Sequence, residues 1–304
     1  MTATGRWDVV VVGAGMAGLA TALWARRLGL EPVVLERENR AGGQLNAIGG
    51  RVFDYPGLDL PNGDALTARL LRQAEEAGVA LHLDRPVSAV SASDRTCETP
   101  AGPVSGRALV LATGLRARRL NVAGEEALHR GGWVRRPSHD LPWFRGRRVA
   151  VIGGGDRALE NAGMLLPVAD RVYLLTRGAV RARPDLAAPV LAHPKLVHRA
   201  GATVVRFRVG PGSVLVDVAE AGGQRELEVD AVCIYIGNAP NSELVAGQVE
   251  LDAEGHIVTD RYGETSVPGV FAVGDVCTPP PYQSLATAGG QAMVVAKRIA
   301  LSLS

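Results

Sequence analysis

The sequence predicts an α/β protein with two parallel-sheet units, each opened by its own strand, glycine turn and helix. Three observations predict it. "WDVVVVGAGMAGLATALWARRLGLEPVVLERE" begins at Trp7, and "RRVAVIGGGDRALENAGMLLPVADRVYLLTR" begins at Arg147. Both run from an apolar strand through glycines into an apolar-periodic helix and then a second strand. The chain is also long enough for two cores, with 304 residues of which 47% are hydrophobic.

The first element is the run Val9–Val12, β-branched and bounded by glycine, which reads as a buried strand. The turn that follows holds Gly13, Ala14, Gly15, Met16, Ala17 and Gly18. Gly13 permits the tight turn, Gly15 lets backbone approach a pyrophosphate, and Gly18 lets the helix pack closely. The helix N-terminus adds N–H donors and a positive dipole. The next strand ends at Glu36, an acid placed to hold a ribose hydroxyl. A complete βαβ unit with that acid predicts dinucleotide binding. Further on, "ALVLATGLRARRL" is a strand running into Ala112, Thr113 and Gly114.

The second turn, Gly153, Gly154, Gly155, Asp156, Arg157 and Ala158, follows the GxGxxA variant. The strand after it ends in Thr176 and Arg177 rather than an acid, with Arg181 and Arg183 beyond. Arginines suit the extra phosphate of NADP, so NADP is favoured over NAD. Arg157 is a bulky residue inside the turn, able either to clamp a phosphate or to obstruct one. The last strand, in "GVFAVGD", exits through Gly274 and Asp275 into a closing helix.

Composition narrows the function classes. No apolar run is long enough to span a bilayer, and Met1–Trp7 reads as a short polar lead rather than a signal peptide, so a cytoplasmic home is expected. Cys97, Cys233 and Cys277 lie far apart, which predicts neither a metal site nor a disulfide framework. A net charge of +2 suggests neither nucleic acid nor membrane. The charge is unevenly spread, however. Residues 115–210 hold 18 Lys and Arg against 7 Asp and Glu, and the remainder holds 15 against 24. Phosphate-bearing cofactors or an acidic partner would account for that basic middle third.

The order of the two turns, "AGGQL" at 41–45, "ATG" at 112–114, "IGNAPN" at 236–241, "GVFAVGD" and "YQSLATAGG" at 282–290 resembles the thioredoxin-reductase-like flavoproteins over almost the whole chain. The resemblance implies two Rossmann-like domains: an FAD domain split into residues 1–116 and 241–304, and an inserted NAD(P) domain at 117–240. It implies a homodimer. It also implies that Gly43, Gln44 and Leu45 pass along the flavin, that Val87 offers its backbone to the adenine, and that Asp275 holds the ribityl chain. Gln283 and Ser284 would present N–H groups to the flavin pyrimidine. Asp54 and Tyr55 stand where relatives usually have asparagine and tryptophan, so Asp54 is expected near the flavin.

Counted back from "VAVIGGG", Arg136 and His139 fall where thioredoxin reductases carry the two cysteines of their redox disulfide, and Asp140 falls on the acid that follows. Disulfide exchange needs an attacking thiolate and a resolving thiol, and neither Arg nor His supplies one. The resemblance then implies an FAD-dependent, NADPH-linked enzyme that passes electrons directly from flavin to an acceptor. Ferredoxin or flavodoxin carriers, or a small molecule, fit that role. His139, oriented by Asp140, is a candidate proton donor beside the flavin, and a capping or loop role for "PSHD" stands beside it. Two alternatives stay open: an FAD protein with a degenerate nicotinamide site, or a disulfide reductase using Cys277.

Overall fold

Valine-rich strands and glycine turns place both sets of candidate residues at strand ends, in a computed structural model that describes residues 7–52 and 55–304. The chain divides into two units, Met1–Arg116 with Ala239–Ser304, and Ala117–Asn238.

In the first unit the strand Trp7–Val12 pairs in parallel with Pro32–Leu35 on one side and Val104–Leu111 on the other. Ala80–His82 extends the sheet past Pro32–Leu35, and Val270–Ala272 pairs with Val104–Leu111, both in parallel. The register sets Val12 opposite Leu35 and Leu111. Gly13, Glu36 and Ala112 therefore leave the sheet at one carboxyl edge, the edge where open α/β sheets bind ligands. Val9, Val10 and Val11 have no exposed surface, as expected of parallel strands covered on both faces. The helix Met16–Arg27 and the closing helix Leu285–Leu303 share one of those faces through Leu19, Ala22, Ala25, Val295, Ala296 and Ile299. Alanine at half of these positions lets the two helices approach closely. Each buried Leu, Ile or Val contributes about 1.5–3 kcal/mol to the core.

In the second unit Arg171–Thr176 lies between Leu196–Ala200 and Arg148–Ile152, and Ala231–Ile234 pairs on the far side of the latter, all in parallel. The helices Asp156–Leu165 and Pro184–Leu191 cover one face. An antiparallel sheet of Thr203–Val209, Val214–Glu220 and Gly223–Val229 covers the other through Val204, Phe207 and Val216. Among the described residues, no helix is long and apolar enough to cross a membrane.

Candidate functional site

The first glycine turn is set by contacts that exclude side chains at two positions and leave a third open. Gly13 has φ +105°, and a Cβ there would lie 2.5 Å from the Ala112 carbonyl oxygen. A Cβ on Gly18 would lie 1.9 Å from the Gly13 carbonyl oxygen. At Gly15 the nearest atom is the Gly42 oxygen, at 4.0 Å. That open side is a cradle a phosphate fits. Gly15 is also the N-cap of its helix and offers no side-chain acceptor to the first-turn N–H groups. The helices starting at Gly63 and Leu285, by contrast, are capped by Asn62 and Ser284.

Glu36 is buried, and its two carboxylate oxygens accept the Ala14 N–H at 2.7 Å and the Glu38 N–H at 3.0 Å. A carboxylate has about four acceptor positions, so a ribose hydroxyl still fits beside these two bonds. Glu36 thus also fastens the turn, a role the spacing argument did not anticipate.

The segment 41–45 lies directly on this turn. Gly42 donates its N–H to the Ala14 carbonyl at 2.8 Å, and Leu45 is buried beneath. Gln44 donates to the Asp275 carboxylate at 2.8 Å, joining two expected flavin-side residues 231 positions apart. Gly274, at φ +76°, approaches Ala17 so closely that a Cβ would sit 2.8 Å from the alanine methyl. Its N–H is held by Gln291 Oε1 at 2.7 Å, and Gln291 in turn donates to Thr278 at 3.0 Å. Gln291 carried no signal in the sequence. Thr113 donates to the Asn241 carbonyl at 2.6 Å, and the Asn241 amide returns a bond to the Thr113 carbonyl at 2.8 Å. Those two bonds fix the exit at Ala112, Thr113 and Gly114. Ser284 spends its hydroxyl on the Thr287 N–H, Gln283 donates to the Thr278 carbonyl, and Val87 is half-buried against the core. Asp54 lies outside the described residues.

The second turn repeats the geometry. Gly153 has φ +135° with the Tyr235 carbonyl 2.1 Å from a would-be Cβ, while nothing lies within 4 Å of one at Gly155. Arg157 is exposed, and none of its atoms lies within 4 Å of a Cβ built on Gly155. Ala158 is buried, as the GxGxxA variant requires. Arg177 and Arg181 are exposed.

The segment holding Arg136, His139 and Asp140 forms a single turn, Pro137–Asp140, with Arg136 before it. His139 and Asp140 are exposed and make no hydrogen bond to each other among the described residues. Asp140 therefore does not orient His139 here. Val134, Arg135, Arg136, His139, Asp140 and Phe144 line a cavity of about 320 Å³. Trp143 is sandwiched between Arg135 and Arg147, whose guanidinium carbons stand 4.0 and 3.9 Å from the ring centre. Arg130, Arg135, Arg136, Arg145 and Arg147 make no ion pair among the described residues, and of the nearby acids Glu126 is taken by Arg119 and Glu125 by two backbone N–H groups.

All three cysteines are free. Cys97 and Cys233 are fully buried, and burial pushes both thiols up. Burial likewise pushes Cys277 up to about 12, and its sulfur donates to the Gly274 carbonyl.

The model of the pyridine nucleotide-disulphide oxidoreductases matches residues 7–294. The chain is 34% identical over 276 residues to the thioredoxin reductase of Treponema pallidum, covering 89% of each chain. It is 35% identical over 303 residues to that of Pneumocystis carinii, covering 94% of this chain and 92% of the relative. Among solved structures it is similar to the thioredoxin reductase of Lactococcus lactis, with a TM-score of 0.83 at 26% identity, covering 98% of this chain and 100% of that chain.

Proposed function

The chain belongs to the pyridine nucleotide-disulphide oxidoreductase family as a thioredoxin-reductase-like, FAD- and NAD(P)H-dependent enzyme, and from that premise we propose that it passes electrons from NADPH straight from flavin to an acceptor, without a redox dithiol. FAD supplies the hydride-accepting and electron-passing chemistry, and the protein supplies its placement. Gly13, Gly15 and Gly18 shape the pyrophosphate cradle, and Glu36 holds the ribose. Gln44 and Asp275 line the flavin side. Gly153, Gly155, Arg177 and Arg181 take the nicotinamide nucleotide.

The observation that carries the proposal is the state of the thiols. All three cysteines are free, and Cys277, the one not fully buried, has its thiol pushed up by burial and its sulfur bonded to the Gly274 carbonyl. Disulfide reduction through Cys277 would therefore start from a shielded thiol that is not paired with a second cysteine. The open cradle at Gly155 argues against a degenerate nicotinamide site.

The acceptor class follows from charge. Arg130, Arg135, Arg136, Arg145 and Arg147 make no ion pair among the described residues, and stacking on Trp143 holds two of them in place, Arg147 also donating to the Trp143 carbonyl. An acidic one-electron carrier of the ferredoxin or flavodoxin type is steered to such a surface. His139 stands at the same cavity and serves a proton-requiring small acceptor. Family resemblance further supports a homodimer, which light scattering would read as about twice 31.8 kDa.

The test is to follow NADPH oxidation by the FAD-loaded wild-type and Cys277→Ala proteins with an acidic carrier and, separately, with thioredoxin. Carrier reduction that survives in Cys277→Ala, with no thioredoxin reduction by either protein, supports the proposal. Thioredoxin reduction by the wild type that is lost in Cys277→Ala returns the function to a thiol at Cys277.

A further inference from the structure

The loop 177–183 is fastened to the second glycine turn by the protein's own groups. The Gly154 carbonyl accepts the Arg181 N–H at 2.7 Å and the Ala182 N–H at 3.1 Å. Asp156, the first residue of the helix Asp156–Leu165, accepts the Arg183 N–H on Oδ1 at 2.9 Å and Arg183 Nε on Oδ2 at 3.2 Å. The loop also lies flat on the turn, since a Cβ on Gly154 would meet Thr176 Cγ2 at 3.4 Å and Val180 Cα at 3.5 Å.

The sequence explains why Arg183 is the residue that reaches back. Pro184 follows it, and a residue before proline is driven out of the helical region. Arg183 sits at φ −54°, ψ 139°, at the N-cap of the helix Pro184–Leu191. Its N–H has no partner in that helix and is satisfied by Asp156 instead. Spending Arg183 on Asp156 leaves Arg177 and Arg181 exposed and without an ion pair among the described residues. It also neutralises a carboxylate that would otherwise repel a phosphate on the same turn.

We infer that Asp156 and Arg183 form a clip that holds the loop 177–183 against the glycine turn, so that Arg177 and Arg181 stand ready for the 2′-phosphate of NADP. The inference rests on the NADPH reading above. Asp156 and Arg183 act through the loop and are positioning residues. Both contacts are solvent-exposed, but the backbone bond to Oδ1 orders no long side chain, so it matters more than the guanidinium pair.

The experiment measures binding by calorimetry, using the full-length FAD-loaded protein with 2′,5′-ADP and 5′-AMP as probes that differ only in the 2′-phosphate. Asp156→Ala removes both contacts. It is expected to weaken 2′,5′-ADP about five- to tenfold, the worth of one or two hydrogen bonds, while 5′-AMP changes less than about twofold. Asp156→Asn keeps the Oδ1 acceptor and is expected to stay within about threefold of wild type for both probes. Hydrogen exchange at the amides of residues 181–183 should quicken in Asp156→Ala and not in Asp156→Asn. If Asp156→Ala binds 2′,5′-ADP as tightly as wild type or more tightly, or if both probes weaken together, the clip is overturned while the nucleotide site stands. If the wild-type protein itself binds 2′,5′-ADP no more tightly than 5′-AMP, the NADPH reading fails, and the clip with it.

Discussion

Gly15→Ala separates folding from cofactor binding, because the two demands on that residue differ. Gly15 has φ −76° and ψ −173°, extended backbone that any residue adopts, and the nearest atom to an added Cβ is 4.0 Å away. The fold loses nothing. The unfolded chain loses freedom, so the apoprotein should be as stable as wild type or more stable by about 0.4–1 kcal/mol. The same methyl stands on the open side of the turn, where the pyrophosphate is expected to meet the first N–H groups of the helix. Displacing a phosphate oxygen from one charge-assisted bond costs about 1.5–3 kcal/mol. FAD should then bind roughly 10- to 150-fold more weakly. The assay is titration of apoprotein with FAD by flavin fluorescence, paired with a thermal melt of each apoprotein. Gly18→Ala is the contrasting control, because its Cβ would sit 1.9 Å from the Gly13 oxygen and the apoprotein should melt lower. Wild-type FAD affinity in Gly15→Ala would refute the placement of the pyrophosphate. A melt lowered as far as that of Gly18→Ala would refute the claim that the side is open.

Arg177→Ala should reduce the preference for NADPH over NADH by about 1–3 kcal/mol, measured as the ratio of kcat/KM values; an unchanged ratio would remove Arg177 from the site. Charge reversal at Arg135 and Arg136 should slow reduction of an acidic carrier while NADPH still bleaches the flavin. The wild-type rate should fall steeply from about 0.1 M to about 1 M salt, as the Debye length shrinks from about 10 Å to about 3 Å; a carrier rate indifferent to both would make the basic face mere solvated surface. Asp217 is held below the usual carboxylate range by hydrogen bonds from Arg208 first and Arg206 second. Its folded pKa is the lower one, so its stabilisation is complete above the usual carboxylate range and is lost as pH falls through the folded value. Asp217→Asn should accordingly flatten the acid limb of a melting-temperature profile as pH falls below about 5, and a limb as steep as wild type would contradict this.

The glycine turns were legible in the sequence because their requirement is local. A tight turn, an open side and a close helix contact fall within six residues, at Gly13, Gly15 and Gly18, and nothing distant has to be known. Glu36 was legible as an acid at a strand end, but its bond to the Ala14 N–H depends on the register between two parallel strands, which spacing alone does not fix. Contacts between distant segments left no trace. Gln44 with Asp275 pairs two common polar side chains, and Gln291 with Gly274 pairs a side chain with a buried backbone N–H; only the fold brings either pair together. The expectation that Asp140 orients His139 failed for a local reason. Pro137 starts a single helical turn there, and successive residues on such a turn point away from each other. The Arg135–Trp143–Arg147 stack has no signature in charge or spacing, because it depends on the flat faces of the guanidiniums packing on a ring.

The most direct test of a thiol-free electron path is stopped-flow mixing of the FAD-loaded Cys277→Ala protein with NADPH, followed at the visible flavin band. Prompt and complete bleaching, at the wild-type rate, is the result predicted, with recovery of the band when an acidic one-electron carrier is added. A band that stays unbleached in wild type as well would contradict the account and leave an FAD-binding protein that does not take electrons from NADPH. A band that bleaches in both proteins but passes electrons on only when Cys277 is present would place the thiol back in the path.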